Sequence, residues 1–191
     1  MLTIGMQKEL LRYYLQDVLE KCDKDTWDHC MRVGKLCQII TEELGFDKYD
    51  VSRITMAGLL HDVGKIFMPE MVNFPGKLAD KERNIVSYHP QFGIRFISIH
   101  WANLPAQVQE GIALHHERLD GQGYPYKLTE NEIPITARIV AVADVFDAMG
   151  TIRPYRMALS QKEIFSELHS LGYDQNIVFA LTTYLRKNEL M

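Results

Sequence analysis

The sequence predicts an all-α fold, a single-domain helical bundle, and three observations support this prediction. The chain has 191 residues, which is the usual size of one domain and enough to bury a hydrophobic core without disulfide bonds. Apolar residues recur at helical spacing along most of the chain, and no alternating strand pattern of useful length interrupts them. We find no internal repeat, low-complexity tract or linker between domains.

Helical patterns and loop signals alternate along the chain. Residues 1–22 are expected to form an amphipathic N-terminal helix, and residues 23–191 the bundle itself. Two runs with proline and glycine, IFMPEMVNFPGK and DGQGYPYKLTENEIP, predict long loops because these residues interrupt regular elements. Helices are predicted near residues 3–21, 25–44, 50–60, 80–88, 90–100, 105–116, 135–149, 160–171 and 174–187.

The composition argues against several classes of protein. The chain has 47% hydrophobic and 24% charged residues with a formal net charge of -4, so it lacks the basic excess typical of proteins that bind duplex nucleic acid. No stretch approaches the roughly 20 apolar residues of a membrane helix, and the N-terminus does not resemble a signal peptide. Cys22, Cys30 and Cys37 form no CxxC pair, which favours reduced, structural cysteines. We therefore expect a cytoplasmic protein without a membrane anchor.

Two acidic positions are candidates for binding a metal ion. His61 is followed directly by Asp62, and imidazole and carboxylate are natural ligands for a divalent transition metal, although such a pair at a helix end also occurs with ordinary hydrogen bonds. Asp144 lies in a strongly apolar run, where a buried carboxylate is costly unless it is paired. Its partner is either a metal ion or a cation such as Arg138 or Arg153, and the sequence leaves both open.

The remaining candidates are histidines near predicted helix ends. His115 and His116 are adjacent and would project about 100° apart on a helix, so they converge on one ion only if the helix end packs tightly against it. A polar rim follows in Glu117 and the turn DGQG. His29 and His89 are each placed where a side chain reaches a cavity between helices, but singly each is better explained as a core or surface histidine.

Taken together, five histidines and two aspartates are enough to hold two metal ions. Paired metals suit phosphodiester hydrolysis, in which one ion polarises the phosphoryl oxygens while a bridging water with a lowered pKa attacks in line. The seven residues are His29, His61, Asp62, His89, His115, His116 and Asp144.

The order and spacing of these residues resemble the HD-GYP family. The resemblance covers nearly the whole chain after about residue 23, and chance agreement over so many segments is remote. The segments that carry it are His29, LLHDVGK at 59–65, FPGKL at 74–78, YHP around His89, HHERLDGQGYP at 115–125, VADVFDAM at 142–149 and RPYR at 153–156.

The resemblance implies a fold, a reaction and a ligand set. The family is an all-helical branch of the HD metal-dependent phosphohydrolases, with its metal centre between the helices, and its members hydrolyse cyclic di-GMP to pGpG and in many cases to GMP. Two divalent ions, iron or manganese, are implied, with Asp62 shared between them. One ion would take His29, His61 and Asp144, and the other His89, His115 and His116.

The resemblance also implies substrate contacts. Lys65 would bind the phosphate and, with Asp62, serve catalysis, because a cation beside the metals stabilises charge on the phosphoryl oxygens. Arg153, Arg156 and Asp147 also have an alternative explanation that involves no substrate. The arginines flank a proline, where solvated basic residues are common, and the aspartate could pair with either arginine. The implied substrate contacts are Lys65, Tyr124, Asp147, Arg153 and Arg156.

One departure from the family concerns a third metal ion. Some members hold it with a glutamate four residues before the first histidine, and this chain has Asp25 there. The shorter side chain either reaches a third ion, directly or through water, or serves as a helix N-cap, for which aspartate is favoured.

Two competing functions stay open at this point. Another HD-type phosphohydrolase would use the same metal core on a mononucleotide or alarmone, although the intact GYP turn argues against it. A non-catalytic signalling module would bind a cyclic dinucleotide or dock a diguanylate cyclase. A homodimer is compatible with either function.

Overall fold

The computed structural model describes residues 24–72, 74, 76–101, 103–152, 157–170 and 172–190. The predicted helix over residues 3–21 lies outside these ranges. Short 3₁₀ helices, Val63–Phe67 and Glu130–Glu132, lie between the α-helices. The α-helices are α1 (Lys24–Glu43), α2 (Lys48–Leu60), α3 (Pro69–Val72), α4 (Asp80–Val86), α5 (His89–His100), α6 (Ala106–Leu114), α7 (Ile135–Gly150), α8 (Gln161–Leu168) and α9 (Gln175–Lys187).

The all-α prediction is confirmed. Throughout the described ranges the only pairing of extended backbone is an isolated bridge between Asp120 and Thr129. α1 packs against α2 and α7, α6 packs between α2 and α7, and α9 covers α1. The helices bury one continuous apolar core, whose largest fully buried aliphatic side chains are Ile40, Ile54, Leu60, Ile112, Ile139, Leu168, Ile177 and Leu181.

The first predicted loop contains short helical segments. Residues 63–67 form a 3₁₀ helix and Pro69–Val72 a single α-turn, so the prolines and glycine limit the length of the elements but do not abolish them.

The helix predicted over 105–116 ends two residues early, at Leu114. The ring of His115 donates to the carbonyl of Ile112, and the main-chain N–H of Glu117 donates to the carbonyl of Leu114. These bonds satisfy the last carbonyls of α6 and replace the helical ladder there. His115 and His116 therefore lie in a turn.

A close approach of α1 and α2 sets the position of the first histidines. A side chain at Gly58 would place its Cβ 2.7 Å from Cys37 Sγ and 3.1 Å from Gly34 Cα, so glycine is needed where the helices cross. The crossing brings the start of α1 against the end of α2. The rings of His29 and His61 consequently lie with their centroids 5.2 Å apart.

Several helix starts are capped by the side chains that sequence rules favour. Asp47 accepts from the main-chain N–H groups of Tyr49 and Asp50 at the start of α2. Ser160 and Asp174 cap α8 and α9 in the same way. Among the helices in the described ranges, none combines the length and apolar character needed to cross a lipid bilayer.

Candidate metal centre

The seven predicted ligands converge on one point between the helices. α1 supplies the first histidine, the end of α2 the His-Asp pair, the start of α5 the next histidine, the turn after α6 the adjacent pair, and α7 the second aspartate. All of them except His116 are buried. In chain order the ligands are His29, His61, Asp62, His89, His115, His116 and Asp144.

Main-chain carbonyls orient three of the imidazole rings. Nδ1 of His61, His89 and His115 donates in each case to the carbonyl three residues earlier, at 2.7, 2.8 and 2.9 Å. A carbonyl oxygen only accepts, so Nδ1 carries a proton in each ring, and Nε2 is the nitrogen whose lone pair can bind a metal when it is not protonated. All three Nε2 atoms face the centre, which is the arrangement that metal-binding histidines adopt.

A carboxylate orients the ring of His29 instead. Its Nδ1 lies 2.7 Å from Oδ2 of Asp147, and Arg32 donates to the same carboxylate at 2.6 and 3.0 Å. Burial raises the pKa of Asp147, but hydrogen bonds from His29 and Arg32 outweigh this and hold the pKa below its usual value. Asp147 therefore stays ionised and fixes the orientation of the His29 ring.

Asp62 lies between two of three groups of candidate ligands, with one carboxylate oxygen near His61 and the other near His89. Its Oδ2 is 3.4 Å from Nε2 of His61 and its Oδ1 is 3.0 Å from Nε2 of His89. The second buried aspartate also contacts a histidine, because Oδ1 of Asp144 lies 3.1 Å from Nε2 of His29. Within each group the ligand atoms lie within 4.8 Å of one another. The groups are His29, His61 and Asp62; His61, His115 and Asp144; and His89, His115 and His116.

The lone pairs of this cluster fit divalent cations. Nε2 of His89 and Nε2 of His115 face each other at 3.2 Å, and both rings carry their proton on Nδ1, so the two lone pairs repel unless a cation or proton lies between them. Nε2 of His29 and of His61 is buried without a hydrogen bond from any described residue. Burying such atoms unpaired is costly, and metal ligation removes that cost.

The aspartates and histidines of the cluster shift one another's pKa values. Burial alone would raise the pKa values of Asp62 and Asp144, but the neighbouring histidines hold both pKa values well below the usual range. Burial lowers the pKa of His61, yet the two carboxylates raise it to about 10. Burial and the adjacent histidines keep the pKa values of His115 and His116 well below the ordinary value.

We expect metal binding to tighten as the pH rises from about 6 to about 8. Without metal, His61 holds a proton up to a pKa of about 10, and a bound ion must displace it. The protonated ring stabilises the metal-free fold fully below its unfolded pKa of 6.5, and this stabilisation is lost as the pH rises through about 10. Affinity should increase about tenfold per pH unit, as measured by calorimetric titration with Mn²⁺. An affinity that stays constant over this range would contradict the assignment of His61.

Two predicted substrate contacts lie beside the cluster. Lys65, in the 3₁₀ helix, donates from Nζ to Oδ2 of Asp62 at 2.5 Å. The ring of Tyr124 stacks on the ring of His116 with centroids 4.5 Å apart, and its main-chain N–H donates to the His116 carbonyl. Burial raises the pKa of Tyr124, so its hydroxyl stays protonated and can donate a hydrogen bond.

A buried carboxylate fixes the loop that carries Tyr124. Glu117 is 2% exposed, and its two oxygens accept from the main-chain N–H groups of Tyr126 at 2.7 Å and Leu128 at 3.0 Å. Two main-chain N–H groups at the end of the loop therefore donate to Glu117 at its start, the residue after His116. We call residues 117–128, closed by these two bonds, the clamped loop.

Among the described residues, Asp25 and Arg138 are not part of the three groups of candidate ligands. Asp25 is exposed in the first turn of α1, one turn before His29. Arg153 and Arg156 lie outside the described residues. Arg138 pairs with Asp174 at 3.0 Å, so of the two cations considered for Asp144 this one binds elsewhere.

Sequence reasoning missed two residues that support the centre. Arg32 follows His29 by three residues and so shares its helix face, a spacing that could have indicated the contact. Glu117 was noted only as part of a polar rim, and no local signal indicates its bonds to residues nine and eleven positions later.

Comparison with protein families and curated relatives gives consistent matches. A family model described as HD domain matches residues 9–176. The chain is 45% identical over 153 residues to a cyclic di-GMP phosphodiesterase of Thermotoga maritima, covering 78% of this chain and 41% of the relative. It is 41% identical over 158 residues to the cyclic di-GMP phosphodiesterase response regulator RpfG of Xanthomonas campestris, covering 82% and 42%.

A third relative has a different named substrate. The chain is 36% identical over 162 residues to a 3'3'-cGAMP-specific phosphodiesterase of Vibrio cholerae, covering 84% of this chain and 31% of the relative. The chain thus spans less than half the length of each of these curated relatives.

Solved structures share the fold. An HDG"Y"P protein from Bdellovibrio bacteriovorus superposes with a TM-score of 0.68 at 21% identity, covering 84% of this chain and 52% of that one. A cyclic GMP-AMP-specific phosphodiesterase of Vibrio cholerae superposes with a TM-score of 0.63 at 18% identity, covering 91% and 47%. At these identities the match supports the helical architecture alone.

Proposed function

This chain belongs to the HD domain family, and from that premise we propose that it is a metal-dependent phosphodiesterase that hydrolyses a cyclic dinucleotide. The observation that carries the proposal is the set of Nδ1-anchored imidazoles whose Nε2 atoms face two buried carboxylates. The names of the curated relatives support this substrate class. We propose cyclic di-GMP as the substrate, with pGpG and then GMP as products.

Different residues of the chain would contribute to different parts of the hydrolysis. The ions, when bound, would supply the Lewis acidity that activates water and the phosphoryl oxygens. Asp62 would hold both metal sites at a fixed spacing, because its two oxygens face opposite ligand groups. The carbonyl and Asp147 anchors keep the rings in one orientation, so little reorganisation is needed on binding.

We expect Lys65→Ala to keep the metals and lose most of the turnover. Its ammonium lies against Asp62 at the edge of the ligands, where it would stabilise charge developing on the phosphoryl oxygens. Removing such a cation should lower kcat about 10²-fold or more, with metal content close to wild type. Lys77→Ala, an exposed lysine of the same loop region, is the matched control and should be unaffected. If Lys65→Ala hydrolyses the substrate at the wild-type rate, Lys65 has no role at the phosphate and is a solvated loop lysine.

We propose two ions of iron or manganese per chain, and a weakly held third ion near Asp25. This aspartate lies one turn before His29 on the same face of α1, and a shorter side chain than glutamate would bind more weakly. If it holds an ion, Asp25→Ala should lower metal content by up to one ion and slow hydrolysis. Asp25 lies inside the first turn rather than at the N-cap that the sequence offered as the alternative, so without an ion it stabilises the helix through its charge. In that case metal content should stay unchanged and about 0.3–1 kcal/mol of stability should be lost. Asp28→Ala, on the same helix, is the control for metal analysis.

One assay tests the substrate. Purified protein loaded with iron or manganese under reducing conditions should convert cyclic di-GMP to pGpG or GMP, and the same panel should include 3'3'-cGAMP, cyclic di-AMP and mononucleotides. Preferential hydrolysis of cGAMP would change the proposed base preference but leave the proposed substrate class, cyclic dinucleotides, unchanged. Turnover of mononucleotides alone would assign the chain to another HD phosphohydrolase activity.

Several finer assignments are part of the same proposal. Tyr124, Arg153 and Arg156 would contact the substrate, and the division into an N-terminal helix over residues 1–22 and a domain over residues 23–191 stays a prediction. A diguanylate cyclase partner and a homodimer are also predictions. Metal-loaded protein that binds a cyclic dinucleotide without hydrolysing it would favour the non-catalytic module.

A further inference from the structure

Three phenylalanines form an exposed cluster beside the metal centre, which we call the aromatic patch: Phe67, Phe92 and Phe96. The centroid of the Phe67 ring lies 6.1 Å from that of Phe92 and 5.6 Å from that of Phe96. Phe67 is 53% exposed and Phe92 is 43% exposed, whereas Phe96 packs partly on the core. Large exposed apolar rings in contact with each other are a sign of a binding surface.

Two chain segments connect the patch to the metal ligands. Phe67 ends the same 3₁₀ helix that carries Lys65, and Phe92 and Phe96 lie on α5, which begins at the ligand His89. Positions three and seven residues after His89 share its helix face, at axial distances of about 4.5 and about 10.5 Å. The patch therefore continues outward from His89 along one face of α5.

Exposure indicates the side from which a ligand approaches. The side chain of Asp62 is 2% exposed, but that of its partner Lys65 is 20% exposed, so Lys65 reaches from the buried carboxylate to the surface on the side of the 3₁₀ helix. The same helix places Phe67 two residues beyond Lys65. A ligand that reaches the metals past Lys65 has the aromatic patch next to it.

We propose that the aromatic patch stacks a purine base of the cyclic dinucleotide, an inference that rests on the function proposed above. Such a substrate carries phosphates and flat aromatic bases in one molecule, so a base lies near any phosphate that the metals bind. Aromatic side chains stack bases of any identity through their ring faces. A stable protein interface involves about 20–30 residues a side, so a patch of three rings fits a small ligand better.

The patch adds a contact that the metal ligands do not provide. The ligands and Lys65 recognise phosphate, which is common to all phosphodiesters, whereas stacking selects substrates that carry a base. Stacking tolerates both purines, so the patch raises affinity for cyclic dinucleotides without separating guanine from adenine.

Substitution of Phe67 and Phe92 tests the proposal through KM. Phe92→Ala and Phe67→Ala should each raise KM for cyclic di-GMP about tenfold, with kcat and metal content near wild type, because base stacking contributes of this order. Phe92→Leu should behave like the alanine variant, since it keeps apolar area but has no ring, and Phe92→Tyr should restore KM. Phe179→Ala, which removes a phenylalanine of α9 that is 70% exposed, should leave KM unchanged.

The outcomes separate this inference from the proposed function. If the wild type hydrolyses cyclic di-GMP and KM is unchanged in the alanine variants, the patch does not stack the base, and a changed oligomeric state in those variants would assign it to a protein contact. If the wild type hydrolyses nothing, equilibrium binding of cyclic di-GMP decides: a tenfold weaker affinity in Phe92→Ala supports stacking, and an equal affinity or no binding at all overturns it.

Discussion

Asp62→Asn should abolish metal loading and hydrolysis together. The carboxylate lies between the two ligand groups, with one oxygen towards His61 and the other towards His89. An amide keeps the shape of the side chain but removes its charge. Its NH₂ group places hydrogen-bond donors, instead of a metal-binding oxygen, at one of the two metal sites. Both ions should therefore bind weakly, and turnover should fall by about 10²-fold or more.

Metal analysis and a product assay on the same preparations measure this effect. Asp50→Asn is the matched control, because Asp50 is a partly buried aspartate of α2 that contacts Arg53 and Gln107 and lies outside the metal centre. It should keep its metals and its rate. Full metal content in Asp62→Asn would mean that Asp62 does not bridge the two groups.

Gly64→Ala should cause the largest loss of stability of any change considered. A Cβ at this position would lie 1.9 Å from the carbonyl oxygen of His89 and 2.6 Å from the main-chain nitrogen of Gly93. Both contacts are to backbone, so no change of rotamer relieves them and the 3₁₀ helix must separate from α5. Overpacking of this kind should cost about 3 kcal/mol or more, a fall in Tm of roughly 6–12 °C.

The same separation should also disturb metal binding. The 3₁₀ helix carries Lys65 and α5 begins at His89, so moving these two elements apart would displace a candidate ligand and the lysine beside the ligands. Gly150→Ala is the control, since its Cβ would meet only Ile164 Cδ1, at an ordinary 3.6 Å. Thermal unfolding and metal content report both effects. Wild-type values in Gly64→Ala would disprove the close packing of these two elements.

The sequence predicted the helices and the ligand set because both leave short-range patterns. Periodic apolar residues define α1, α2 and α7, and the His-Asp and His-His pairs occur in recognisable local motifs. The end of α6 was placed too late, since the bonds that stop it come from the ring of His115 and from the N–H of Glu117 rather than from proline or glycine.

The supporting residues could not be predicted in the same way. Asp147 was expected to contact substrate, yet it lies 118 positions from His29 in the chain and 2.7 Å from it in space. Such a contact depends on how α1 packs against α7, which no local pattern encodes. The alternative for Asp147 was a pair with Arg153 or Arg156, and the arginine that the structure places on its carboxylate is Arg32, a residue the sequence did not single out.

The clamped loop has a consequence for how this protein can diversify. Both oxygens of Glu117 hold main-chain N–H groups, so the closure of the loop does not depend on the side chains at positions 126 and 128. Substitutions there can change the surface that the loop presents to solvent while the histidine pair next to Glu117 keeps its position. The outer side of the loop can therefore vary in sequence without moving the two histidines.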